Sequence, residues 1–168
     1  SWSLAFGNLL AAVSNTVNLQ AVSLIATNTV ALIGHSTTSP MGVAGDYGVA
    51  YRSINNGANW SEVFASLSPS RMVSIVNVSA TITVAVGIQP TTNYGLIYRS
   101  TDAGATWSLI LTTSVVANLQ SVIALSSTIA LAVGYDANNY GVIYKTVDAG
   151  VTWSLIAATG SAVAHLPS

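Results

Sequence analysis

The chain has no cysteine and very little charge. Without cysteine, disulfides and thiolate chemistry are excluded, and the redox compartment stays open. Among 168 residues there are four Lys or Arg and five Asp or Glu, a formal net charge of −1. That excludes the basic footprint a nucleic acid requires and the polybasic patch an anionic membrane surface requires. Disorder is excluded too, because hydrophobic residues make up 51% of the chain and disordered segments show the reverse composition. Surface polarity must therefore come from Ser, Thr, Asn and Gln. So uncharged a surface has little repulsion to keep copies apart, and self-association is expected. The stretch from Val116 to Gly134 carries no charge, yet Asn118, Gln120, Ser121, Ser126, Ser127 and Thr128 interrupt it. A spanning helix needs about 20 predominantly apolar residues, so no membrane insertion is expected.

What the chain does have is a repeat. Tyr94–Trp107 reads YGLIYRSTDAGATW, Tyr140–Trp153 reads YGVIYKTVDAGVTW, and Tyr47–Trp60 gives a weaker copy, YGVAYRSINNGANW. The Tyr-to-Trp offset is 13 in all three, and the four tryptophans at 2, 60, 107 and 153 are spaced by 58, 47 and 46. A unit recurring at this period marks a propeller, solenoid or array. Ahead of each Tyr-Gly lies an alternating run: Thr29–Gly34, Ile82–Gly87 and Ile129–Gly134. Before that comes a further apolar segment, exemplified by Asn118–Ile123. Alternation with β-branched enrichment, bounded by Gly, Asn and Pro, reads as strand.

Each unit thus supplies four short strands, one blade of a β-propeller-type repeat. The expected all-β organisation is one repeat domain: an orphan strand and linker over 1–17, blades over 18–66, 67–113 and 114–160, and a tail over 161–168. The first unit is longer by 11 residues, six of them between Gly34 and Tyr47, where His35 to Gly42 reads as an enlarged loop. The opening Ser1-Trp2-Ser3-Leu4 matches the start of a fourth strand, so the chain reads as an excised piece of something longer. Three blades and a strand do not close a ring of about four to eight blades. Trp2 and Leu4 are accordingly expected at an interface with another copy, or with the rest of a longer parent chain.

Ser100-x-Asp102-x-Gly104-x-Thr106-Trp107 and Thr146-x-Asp148-x-Gly150-x-Thr152-Trp153 resemble the Asp-box, or BNR repeat. It is similar to repeats of sialidases, of sortilin-type receptor propellers and of photosystem II assembly-factor propellers. The resemblance implies the propeller fold and leaves function open, because these families share only the scaffold. In the motif the aspartates should accept backbone hydrogen bonds in a hairpin turn, the glycines supply positive φ, and the tryptophans carry apolar area between sheets. The first copy departs from the pattern, with Asn55 for Asp and Asn59 for Thr, while Gly57 and Trp60 are kept.

In-register positions account for Arg52, Arg99, Lys145, Asp102 and Asp148, leaving Asp46, Glu62, Arg71 and Asp136 for chemistry. The resemblance to sialidases implies an arginine cluster and a tyrosine–glutamate pair, which this chain is too poor in arginine to assemble. Hydrolysis of a glycoside would need paired carboxylates, and nothing pairs Asp46 with Asp136. A metal site wants three or four ligands at short range. His35 with Asp46 falls short, so no metal and no cofactor are expected, and His35 reads as an exposed loop histidine. His165 lies in the tail. Six of seven tyrosines are in register, and only Tyr135 is free. Two glycosylation sequons occur, at Asn59 and Asn77, of which Asn77 reads as the better acceptor. The sequence therefore points to a non-catalytic structural or interaction module, extracellular or on a cell surface, assembling through its blades. A carbohydrate-binding or sialidase-like fragment, with glycans as partners, and a photosystem assembly-factor-like propeller are the alternatives.

Overall fold

The computed structural model describes residues 17–159, without the side chains of 114–117. Trp2, Leu4 and His165 lie outside the described residues. Every element within them is a strand: β1 (Val17–Ala26), β2 (Thr29–Thr38), β3 (Ala44–Ser53), β4 (Ser61–Pro69), β5 (Arg71–Asn77), β6 (Thr83–Gln89), β7 (Tyr94–Ser100), β8 (Ser108–Ala124), β9 (Ala130–Asp136), β10 (Gly141–Thr146) and β11 (Ser154–Ala158). All pairings are antiparallel between neighbours in sequence. Strands β1 to β4 form one sheet and β5 to β11 form a second, continuous ladder.

That ladder is two blades sharing a strand. The first part of the 17-residue β8 pairs with β7 up to Val116, and the remainder pairs with β9 from Ala117. The result is three four-stranded meanders: blade one is β1–β4, blade two is β5 to the first half of β8, and blade three runs from the second half of β8 to β11. Unit boundaries read from the sequence at 66/67 and 113/114 fall inside β4 and β8; blades one and two part at Ser70, between β4 and β5. The enlarged loop is also shorter than expected. Strand β2 continues to Thr38 and β3 begins at Ala44, so most of the added residues lengthen a hairpin.

The core lies between blades. Ile25, Ala31, Ile33 and Ala50 of blade one pack against Met72, Ile75, Ala85, Leu96, Tyr98 and Trp107 of blade two. Val84, Val86 and Ile97 of blade two pack against Leu119, Val122, Ala132, Val142 and Tyr144 of blade three. Alternation along β6 explains this: its odd and even positions face opposite neighbours, so both faces are apolar and the strand is buried throughout. Arg52 and Arg99 tie the same interfaces at one end. The Nε of each donates to an apex carbonyl of the next blade, Ala103 and Ala149 respectively, at 2.8 Å.

Candidate functional site

The Asp-box turns are built alike. Asp102 Oδ1 accepts from the Thr106 amide at 2.8 Å and Asp102 Oδ2 from the Thr106 hydroxyl at 2.6 Å, while the Ser100 hydroxyl donates to Oδ1 at 2.8 Å. Asp148 is held identically by Thr152 and Thr146. In blade one Asn55 Oδ1 accepts from the Asn59 amide at 2.8 Å and from the Ser53 hydroxyl at 2.9 Å. The turn needs two successive residues at positive φ, Asn56–Gly57, Ala103–Gly104 and Ala149–Gly150. The sequence reading assigned that conformation to the glycines alone, but two alanines share it. The Trp107 and Trp153 indoles donate to the Gly104 and Gly150 carbonyls. Trp107 is buried in the core between blades one and two, Trp153 is half-buried against the core between blades two and three, and Trp60 is half-buried on blade one.

These motifs occupy one end of each hairpin and hold the scaffold. A different set of residues forms a cavity. Each first strand carries a β-bulge opposite a glycine within the second: Leu19/Ala21 across from Gly34, Met72/Ser74 across from Gly87, Leu119/Ser121 across from Gly134. The extra residues are Gln20, Val73 and Gln120, and all three line one open cavity of about 500 Å³. Bulges re-aim a side chain in this way beside binding sites. Arg71 and Asn118, one before each bulge, and His35, Ile88 and Tyr135, one after each glycine, complete most of the lining, with Asn93 and Pro90. One equivalent position per blade thus converges on a shared space.

The polar groups there are interlinked. Gln120 Nε2 donates to Asn118 Oδ1, and Asn118 Nδ2 donates to the Tyr135 hydroxyl at 2.9 Å. Across the cavity Asp46 takes two bonds from Arg71, at 2.8 Å from Nε and 2.6 Å from Nη2. His35 Nε2 stands 3.7 Å from Asp46 Oδ1 and 3.3 Å from Asn18 Nδ2. His35 is buried within β2, which corrects its reading as an exposed loop residue. Burial pushes its pKa below the usual value, Asp46 opposes the shift and Arg71 adds to it, so the ring is neutral near pH 7. Asp46 and Asp136 lie in strands β3 and β9 rather than in loops. Asp136 caps its own turn through the Asn138 and Tyr140 amides. Among the described residues no group of three His, Asp or Glu is placed to hold a metal ion.

The two sequon asparagines differ in their surroundings. Asn77 Nδ2, the atom a glycan would be attached to, donates to the Ile25 carbonyl of blade one at 2.9 Å. Asn59 is exposed in its turn. Sequence reasoning also passed over the cavity itself. Its signal was the triplet Asn-Leu-Gln, present at 18–20 and 118–120 and replaced by Arg-Met-Val at 71–73.

The BNR/Asp-box repeat family matches residues 98–109, within the hairpin of blade two. No curated protein matches the chain. Among solved structures it is similar to the GH74 xyloglucanase from Xanthomonas campestris, with a TM-score of 0.59 and 17% identity over 83% of this chain and 21% of that one. It is also similar to the GH93 α-L-arabinofuranosidase of Fusarium graminearum in complex with arabinobiose, with a TM-score of 0.51 and 14% identity over 81% of this chain and 47% of that one. The chain therefore spans less than half the length of either protein. At such identities the likeness is one of fold: three Asp-box blades of a β-propeller.

Proposed function

We propose that this chain is the carbohydrate-binding part of a β-propeller, and that the bulge-lined cavity is where a neutral oligosaccharide sits. The observation that carries this reading is the lining: Gln20, Asn93, Asn118 and Gln120 bring four carboxamides to one cavity beside the Tyr135 ring. A carboxamide offers a donor and an acceptor side by side, which suits the paired hydroxyls of a sugar, and an aromatic ring offers a face for its C–H groups. The names of the two similar structures, a xyloglucanase and an α-L-arabinofuranosidase bound to arabinobiose, favour a plant-type polysaccharide as ligand. An extracellular location fits that ligand.

Binding rather than cleavage is the activity proposed. Glycoside hydrolysis uses two carboxylates flanking the bond, one of them free to ionise or to donate its proton. Here Asp46 is neutralised by Arg71 and Asp136 is committed to backbone amides. The test is titration calorimetry of the 168-residue chain with xyloglucan and arabinan oligosaccharides, alongside a glycan array. Binding that is lost in Gln120→Ala and Tyr135→Ala, with no reducing sugar released, supports the proposal. Absence of binding to every neutral glycan, or unchanged binding in both variants, rejects it.

A further inference from the structure

The two interblade interfaces repeat one pattern, and among the described residues the outer faces of blades one and three carry its two unpaired halves. In the pattern, the residue before the glycine of each second strand is apolar and fully enclosed by the next blade: Ile33 and Val86 are both 0% exposed. The same position in blade three is Val133, which is 39% exposed. The opposite half of the pattern is supplied by the first strand of the following blade, where Met72 and Leu119 are both 0% exposed. Their counterpart in blade one is Leu19, 40% exposed, and nearby Val22 is 62% exposed where Ile75 and Val122 are 9% and 5%.

The polar clamp repeats in the same way. Arg52 and Arg99 each hold the apex carbonyl of the next blade. Lys145 occupies this position in blade three, and the described residues contain no further blade to receive it. On blade one the apex residue is Asn56. It has the positive φ of Ala103 and Ala149, and its amide donates to Asn28 as theirs donate to Thr81 and Thr128. Its carbonyl is therefore presented as theirs are.

We propose that the outer face of blade three seats the outer face of blade one of a second copy of this chain, with the Lys145 ammonium donating to the Asn56 carbonyl of that copy. The contact is heterologous: each copy offers one half and receives the other. Two copies joined at both faces make six blades, within the range at which propellers close. The low net charge leaves little repulsion to oppose the association. The same closure covers the apolar rows on both faces, whose size and chemistry match the rows already buried inside the chain.

The experiment is light scattering on the full chain at tens of micromolar, with circular dichroism to follow the strands. The expected mass is twice that of the chain. Val133→Glu and Val22→Glu should each give the single-chain mass with strand content retained. Mixing the two should restore a two-chain species, because one intact pair of faces remains between them. Ile123→Glu, at an exposed position of the same outer face of blade three, should reproduce Val133→Glu if that variant loses its fold. A folded single chain in the unaltered protein overturns the proposal. So does a two-chain mass that survives Val22→Glu, which would mean blade three pairs with itself, and so does a mass larger than two chains.

Discussion

Gly134 faces the main-chain carbonyl of Asn118 so closely that a Cβ built on it would stand 1.9 Å from the oxygen. The same relation holds between Gly87 and Arg71 at 1.8 Å. The bulge that turns Gln120 into the cavity brings its strand against the glycine, so the close approach and the cavity have one cause. Replacing Gly134 by Ala forces the backbone of β8 or β9 to move. The expected cost is about 3 kcal/mol, at the upper end for overpacking. Urea unfolding of Gly134→Ala measures it, and loss of glycan binding should accompany the shift.

Trp107→Ala should cost about 3–5 kcal/mol, the usual figure for a large core aromatic. Trp107 is buried with Ile25, Ala31 and Tyr98, whereas Trp153 is only half-buried, so Trp153→Ala should cost less. The difference between their thermal midpoints checks the order, and equal losses would contradict the packing described.

Asp148 makes stability depend on acid. The Thr152 hydroxyl first, then the Thr152 amide and the Thr146 hydroxyl, draw its pKa down to about 2 from 3.8, against slight burial. A carboxylate whose pKa is lowered on folding contributes stability above its unfolded value, and that contribution disappears as pH falls through the folded one. The melting temperature should therefore decline between about pH 4 and pH 2. Asp148→Asn should flatten that decline while keeping the turn, since Asn55 already holds the equivalent turn in blade one.

His35 titrates in a different window. Its pKa is lowered chiefly by burial, so stability is fully present above about 6.5, the unfolded value, and falls as pH drops below it. Nitrogen-15 NMR of the imidazole should show a neutral ring at pH 6.5 and a midpoint lower still. A midpoint above 6.5 would mean that the charge of Asp46 outweighs burial.

The scaffold was legible because its demands recur at fixed offsets. The offset of 13 from Tyr to Trp spans a strand, a turn and the entry of the next strand, and the turn accepts few residue types at Asp102, Gly104 and Thr106. The glycine after each Tyr was legible as a position but not as a cause. Gly48, Gly95 and Gly141 each donate an amide hydrogen to a hydroxyl near or just past the end of their blade's fourth strand, of Ser70, Thr113 and Thr159. The cavity was not legible because no segment contains it. Gln20 and Gln120 look like ordinary polar strand positions until the blades stand side by side and the bulges aim them inward. His35 misled for a related reason. Among Ser and Thr residues it reads as loop, but β2 and β3 extend past their counterparts and carry it under Asn18 and Asp46.

The shared strand β8 decides where this molecule can be divided. A cut at Ser70 falls between two finished sheets, and each side keeps all of its ladders. Within β8 only a cut between Val116 and Ala117 leaves the ladders of both blades whole, and a cut to either side strips paired residues from one of them. As a module for fusion, circular permutation or recombination, the chain thus offers one division outside any strand, at Ser70, and one at a single peptide bond inside β8, where no loop separates the blades.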